Sequence, residues 1–202
     1  MFRDETQLAD AQEDTAQPAP RVLSVRHWHA TLRDRLHARL LVAPRDRIQV
    51  DLWWNNDSAR SDVQLVFGLY RDSIELGCLT GNGFDRPQLH RAGFGTLAVN
   101  IAIQALREVC PDDLHVQGVL SNTAEAVLDD ATRTRLEANR RAFWRRFGLD
   151  VVRAGDPPLD YLRGRVGDLH TVASGTLAGQ FPRCVPLQDF RALVKQADQV
   201  SP

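Results

Sequence analysis

The stretch that most constrains this chain is Pro87-Gln-Leu-His-Arg-Ala-Gly-Phe-Gly-Thr96, a glycine-bearing turn that runs straight into a helical repeat. Gly93 and Gly95, one residue apart, let the backbone curl until successive N–H groups converge on one point. A helix starting there adds its unsatisfied first-turn N–H groups and the positive end of its dipole. Such a turn cradles a phosphate or pyrophosphate without any charged side chain. The competing reading is a plain turn whose glycines serve backbone geometry alone.

The elements on either side decide what the turn belongs to. Ile48, Val50, Leu52 and Trp54 alternate with polar neighbours, as do Val63, Leu65, Phe67 and Leu69. A third run places Ile74, Leu76 and Cys78 on one face and Glu75, Gly77 and Leu79 on the other. Short connections make these three an antiparallel meander. After the turn, Leu97, Ala98, Ile101, Ala102, Ala105 and Val109 keep helical spacing until Cys110-Pro111. Residues 114–120 read as a strand, 124–147 as helix stopped by Gly148, and 149–152 and 169–173 as late strands around a loop holding Pro157-Pro158. Leu187 to Val194 reads as a last short helix. Ahead of the meander, Val25, Trp28, Leu32, Leu36 and Leu40 recur every three or four positions, which predicts a helix over 22–41 with Ser24 as its cap. His27 and His29 would then point about 200° apart, which argues against a metal pair.

The expected fold is α/β (α+β): a mixed, mostly antiparallel central sheet with flanking helices. The strand before the turn and the strand after its helix should be parallel neighbours in a right-handed crossover. Ligands of such sheets favour the carboxyl ends of the strands, where this turn lies.

Composition sets the limits. At 202 residues, 25% charged and 43% hydrophobic, the chain suits one globular domain. Residues 1–20 hold five acids and one arginine and should form a disordered arm, leaving 21–202 as the folded domain with a net charge of +3. Three cysteines without C-x-x-C spacing read as free thiols of a reducing compartment. With no apolar run of membrane-spanning length and no secretory signal pattern, the expectation is a cytoplasmic protein without membrane partners. Arg133, Arg135, Arg140, Arg141, Arg145 and Arg146 share a helix with Asp129, Asp130 and Glu137. The i,i+4 pairs Asp129–Arg133 and Glu137–Arg141 make that a solvated face rather than a nucleic-acid surface.

Pro87 to Thr96 resembles the pyrophosphate loop of the GCN5-related N-acetyltransferases, roughly P-x-(Y/L)-(R/Q)-x-x-G-x-(G/A)-T/x at a helix start. Arg140-Arg-Ala-Phe-Trp-Arg-Arg-Phe-Gly-Leu149 is similar to that family's later helix, which commonly ends in F-Y-x-x-(L/F)-G-F. The two motifs stand in the family's order with a strand between them, and the resemblance spans about residues 22–175. His90 replaces the usual Arg or Gln, and Trp144 replaces a tyrosine that can protonate the departing thiolate. An indole cannot act as that acid.

The resemblance implies acetyl-CoA or another acyl-CoA as cosubstrate and an amine-bearing small molecule or protein as acceptor. Arg91, Ala92, Gly93, Phe94, Gly95 and Thr96 would hold the pyrophosphate, with Arg91 adding charge. The strand after Ser73 and the strand ending at Leu120 would splay to pair with pantetheine, joined by the Asn122 amide. Glu75, a carboxylate within the strand nearest the cofactor, is the candidate base, and Tyr161 the candidate acid, with Tyr70 and His115 as further titratable groups. Trp53 and Trp54 could line an acceptor groove, although alternation assigns at least one to the core. Two other readings stand beside the enzyme: a catalytically inactive binding or effector protein on the same scaffold, and a dinucleotide-binding oxidoreductase. A meander where a βαβ half should precede the turn speaks against the latter.

Overall fold

The computed structural model describes residues 26–32, 36–54, 62–81, 93–120, 128–156, 158–172 and 187–190. Eight strands form one sheet: β1 (Arg26–Leu32), β2 (Leu36–Ala43), β3 (Arg47–Trp54), β4 (Val63–Leu69), β5 (Ser73–Gly81), β6 (His115–Leu120), β7 (Asp150–Ala154) and β8 (Leu159–Arg165). Among the described residues the helices α1 (Phe94–Val109) and α2 (Asp130–Arg145) accompany them. The spatial order is β1-β2-β3-β4-β5-β6-β8-β7. Every neighbouring pair is antiparallel except β5 with β6, which the α1 crossover makes parallel. The mixed, mostly antiparallel sheet therefore stands as expected from the sequence. The predicted arm at 1–20 lies outside the described residues.

The helix expected over 22–41 is instead the hairpin β1–β2. Leu36, Ala38, Leu40 and Val42 are all buried, in strict alternation with less buried His37, Arg39 and Leu41. Leucines four residues apart satisfy a period of two as well as one near 3.6, and the small Ala38 conceals the alternation. Pairing with β3 then decides, setting Leu40 opposite Val50 and Ala38 opposite Leu52. The helical argument about His27 and His29 falls with it, since both lie on β1, opposite Leu41 and Arg39.

A second difference lies at the chain's later end. The strand expected at 169–173 is not formed by its described residues, 169–172, and the segment read as loop contains β8. Asp160 and Gly164 interrupt the apolar alternation of β8. Asp160 nevertheless sits buried among arginines, while a Cβ at Gly164 would meet the Leu149 side chain at 2.8 Å. Val172 has its backbone held by a side chain rather than by a strand. The amide of Asn100, wholly buried in α1, donates to the Val172 carbonyl (3.0 Å) and accepts from its N–H (2.8 Å).

One hydrophobic cluster unites the inner face of the sheet with α1 and with Trp144, Phe147 and Leu149 at the end of α2. Helix α1 packs on β2, β3 and β4, and Gln104 on its other flank accepts the Leu187 N–H at 2.6 Å. Residues 187–190 form a helical turn, with Leu187 and Phe190 buried against the same core. At α2 the side chain of Asp129 caps the Thr132 N–H (2.9 Å), and Gly148, at φ 88, turns the chain away from the helix.

Candidate functional site

The start of α1 separates the roles of its two glycines. Gly93 holds φ 99 and ψ 3, a left-handed conformation that glycine adopts without strain, and its carbonyl receives the Leu97 N–H at 2.9 Å. Gly95 has no positive φ, and a Cβ there would stand 3.6 Å from the Phe143 ring, an ordinary contact. Among the described residues neither backbone nor packing requires glycine at position 95. Among the described residues no side chain caps α1, and no acid occupies its first turn to offset the positive end of the dipole.

In chain order this helix follows β5, and the sheet opens beyond Leu76 of that strand. Strands β5 and β6 pair only over Ser73–Leu76 against His115–Gly118, although β5 runs on to Gly81 and β6 to Leu120. The parting coincides with a β-bulge: Phe67 pairs with Leu76 but Val66 with Cys78, leaving Gly77 as the extra residue. The bulge also exchanges the two faces downstream. Leu79, read from the sequence as sharing a face with Glu75, packs against the core opposite Leu65, while Cys78 falls with Val66 on the other face. Beyond the bulge, the edges of β5 and β6 that face one another have no strand partner among the described residues. Backbone groups without a strand partner between two parted strands are of the kind that an extended ligand can pair with.

The opposite face of the sheet bears neither α1 nor α2, and near the opening its residues form rows fixed by register. Ser73, His115 and Arg165 make one row, Glu75, Gln117 and Arg163 the next, and Val119 and Tyr161 lie level with the opening. Gln117 Nε2 donates to Glu75 Oε1 at 3.2 Å. Glu75 and Tyr161 thus share a face without touching, since two strand spacings and one row put their Cα atoms about 12 Å apart. On the other side of Glu75 stands Gly68, and a Cβ there would meet the Tyr70 ring at 3.1 Å. The Tyr70 phenol therefore folds back beside Glu75 and stays exposed.

Further along this face, Asp51 is only 1% exposed and its carboxylate is saturated. Arg39 donates to Oδ2 through Nε (2.9 Å) and Nη2 (2.7 Å), Gln49 reaches both oxygens, and Gln64 donates to Oδ1 at 2.9 Å. That network serves rigidity, because no acceptor capacity is left for a ligand. Trp53 stacks on His37 nearby, with ring centroids 5.5 Å apart, while Trp54 packs against the core.

Helix α2 corrects two expectations about pairing. Arg133 bonds Asp130 rather than Asp129, and Glu137 takes Arg153 (2.6 Å) rather than Arg141, which reaches across to Asp160 (3.3 Å). Trp144 is 2% exposed, edge-on to Phe143 at a centroid distance of 5.2 Å. Position 144 is thus sealed in the core, and Phe143 is the residue that reaches the first turn of α1. Burial pushes the Cys110 thiol up to about 11, as expected of an inert structural cysteine.

Glu75 and Tyr161 therefore share the uncovered face of the sheet near the opening, and Gly93, Phe94, Gly95 and Thr96 form the start of α1, whereas Arg91, Ala92 and Asn122 lie outside the described residues. The sequence reading passed over Gly77, Gln117 and Gly118. Lone glycines inside two neighbouring strands were the available signal of a bulge and a close approach. No cluster of three or more potential metal ligands occurs among the described residues. Compared with known proteins, the chain matches no family model, no curated protein and no solved structure.

Proposed function

We propose that the chain is an acyl-CoA-dependent N-acyltransferase on a GCN5-related scaffold, working by direct attack of an amine on the thioester. The observation that carries this is the parting of β5 from β6 at the Gly77 bulge, within a β5–α1–β6 crossover whose helix starts with no side-chain cap and no first-turn acid among the described residues. The two motifs around residues 87–96 and 140–149 support the same reading.

The residues present fit such a cosubstrate. The α1 start, with Gly95 bare, would hold the pyrophosphate, and the unpaired edges of β5 and β6 would bond the pantetheine amides. Bound acyl-CoA supplies an electrophilic carbonyl and a thiolate leaving group. Glu75 takes the proton that the amine sheds as the C–N bond forms and the C–S bond breaks. Tyr161, level with the opening, returns a proton to the sulfur, directly or through water. The gap joins the helix-covered side, where the anion is held, to the uncovered side from which the amine arrives.

The deciding experiment follows the melting temperature with acetyl-, propionyl- and longer acyl-CoAs, and thiol release on adding amines. A shift with at least one acyl-CoA and amine-dependent release in the wild type are expected; no shift with any acyl-CoA would sink the reading. The burial of Trp144 favours one alternative, a binding or effector protein for which acyl-CoA is structural. That alternative predicts a shift without amine-dependent release.

A further inference from the structure

The charge pattern beside Glu75 points to the kind of amine accepted, an inference that rests on the acyltransferase reading. Arg163 and Arg165 lie two residues apart on β8, so both side chains leave the same, uncovered face. Both are exposed, and among the described residues neither has a carboxylate within ion-pair distance, unlike Arg39, Arg133, Arg141 and Arg153. The groups facing them are His115 and Gln117 on β6, Glu75 one strand further, and Asp150 across from Arg163 on β7. Arg47, level with Gly68 on β3, faces Glu75 from the other side.

Among the described residues, the register rows through Glu75 and Arg165 thus hold three arginines and two carboxylates, and one of the carboxylates is the base. When Glu75 pairs with an incoming ammonium, Asp150 is the carboxylate of those rows that remains to offset the guanidinium groups. A plain or polycationic amine would meet net repulsion there, while an amine with its own negative group would be held at both ends. Guanidinium forks suit carboxylate and phosphate oxygens, which they bind bidentately. Two strand spacings set the Cα atoms of Glu75 and Arg163 about 10 Å apart. Two long side chains reaching over Gln117 reduce that span to the size of a small molecule.

We propose that the acceptor is a small amine carrying an anionic group, of the amino-acid type, with its amine at Glu75 and its anionic group on Arg163 and Arg165. The test compares a panel of amino acids, their neutral amides and the matching aminoalkylphosphonates as acceptors, measured as thiol release. In the wild type, kcat/KM should be at least tenfold higher for the best anionic amine than for its neutral counterpart, and the carboxylate-to-phosphonate ratio identifies the preferred oxyanion. In R163Q/R165Q that preference should fall to within threefold of unity, through KM for the anionic amine, while R163K/R165K retains part of it. Both positions are exposed, so unchanged melting and an unchanged acyl-CoA shift serve as folding controls. Equal use of acid and amide by the wild type, or a preference that survives R163Q/R165Q, overturns the inference and leaves the acyltransferase standing. Absence of any acyl-CoA shift or of amine-dependent release removes the acyltransferase and this inference together.

Discussion

Gly118 lies opposite Leu76 across the last rung of the parallel pair, so close that a Cβ at position 118 would stand 2.8 Å from the Leu76 Cβ. The strands thus leave no room for a side chain at position 118 immediately before they part. Gly118→Ala must push β6 away from β5, at a cost of about 1–3 kcal/mol for overpacking. The expected result is a melting temperature lower by roughly 2–12 °C, with acyl-CoA binding weakened beyond what the stability loss explains. Calorimetric titration of folded protein well below its melting point checks this, and undiminished affinity would detach the opening from the ligand.

The glycines at the start of α1 should behave in opposite ways. Gly93→Ala forces a side chain into the left-handed region, which costs about 1–2 kcal/mol. Gly95→Ala places a methyl in an ordinary helical position at van der Waals distance from Phe143, and alanine in a helix is favoured over glycine by roughly 0.5–1 kcal/mol. The second variant should therefore melt at or above the wild-type temperature and yet bind acyl-CoA at least tenfold more weakly. Unimpaired binding by Gly95→Ala would return both glycines to a purely geometric role.

Glu75→Gln and Tyr161→Phe test the proton transfers and not the fold, since neither group touches the other and Glu75 is exposed. Each should leave the acyl-CoA shift intact while lowering kcat, by about 10²–10⁴ for the base. If Tyr161→Phe retains full activity and Tyr70→Phe does not, the acid is the phenol folded over Gly68.

Gly148 closes α2 with φ 88, and a Cβ there would clash with the Asp168 carbonyl oxygen. Backbone strain of roughly 1–3 kcal/mol combines with overpacking of similar size, so Gly148→Ala should be among the most damaging single changes. Chemical denaturation should show a shifted midpoint with an unchanged slope.

Particular residues show what the sequence could and could not convey. The strands β3 and β4 and helix α1 were legible because one face of each meets the core and its periodicity is unbroken. Leu36 and Leu40 misled because a spacing of four satisfies both periods, and only pairing with Val50 and Trp54 chooses between them. Asp160 hid β8 because its partners, Arg141 and Arg153, come from other elements. The turn at 93–96 was legible as a glycine turn feeding a helix, yet the opening between β5 and β6 depends on the bulge at Gly77 meeting the rung that pairs Leu76 with Gly118, a matter of register. No local pattern in either strand encodes that meeting.

Acid should loosen the α2 end of the sheet first. The Asp129 carboxyl is held below its ordinary value chiefly by the Thr132 backbone N–H it caps, and Glu137 is lowered by its bond from Arg153. A carboxylate depressed in the folded state contributes stability that is complete above its unfolded value and lost as pH falls through the folded one. Melting should accordingly be insensitive to these two groups at neutral pH and decline below about pH 4, where unfolded carboxylates begin to bind protons. Asp129→Asn preserves the cap, because asparagine caps as well as aspartate, but removes the titration. Its melting temperature should match the wild type near pH 4 and fall less steeply below it. Parallel curves for the two proteins down to pH 2.5 would show that the Asp129 cap does not contribute to acid sensitivity, leaving Glu137→Gln to carry the same comparison.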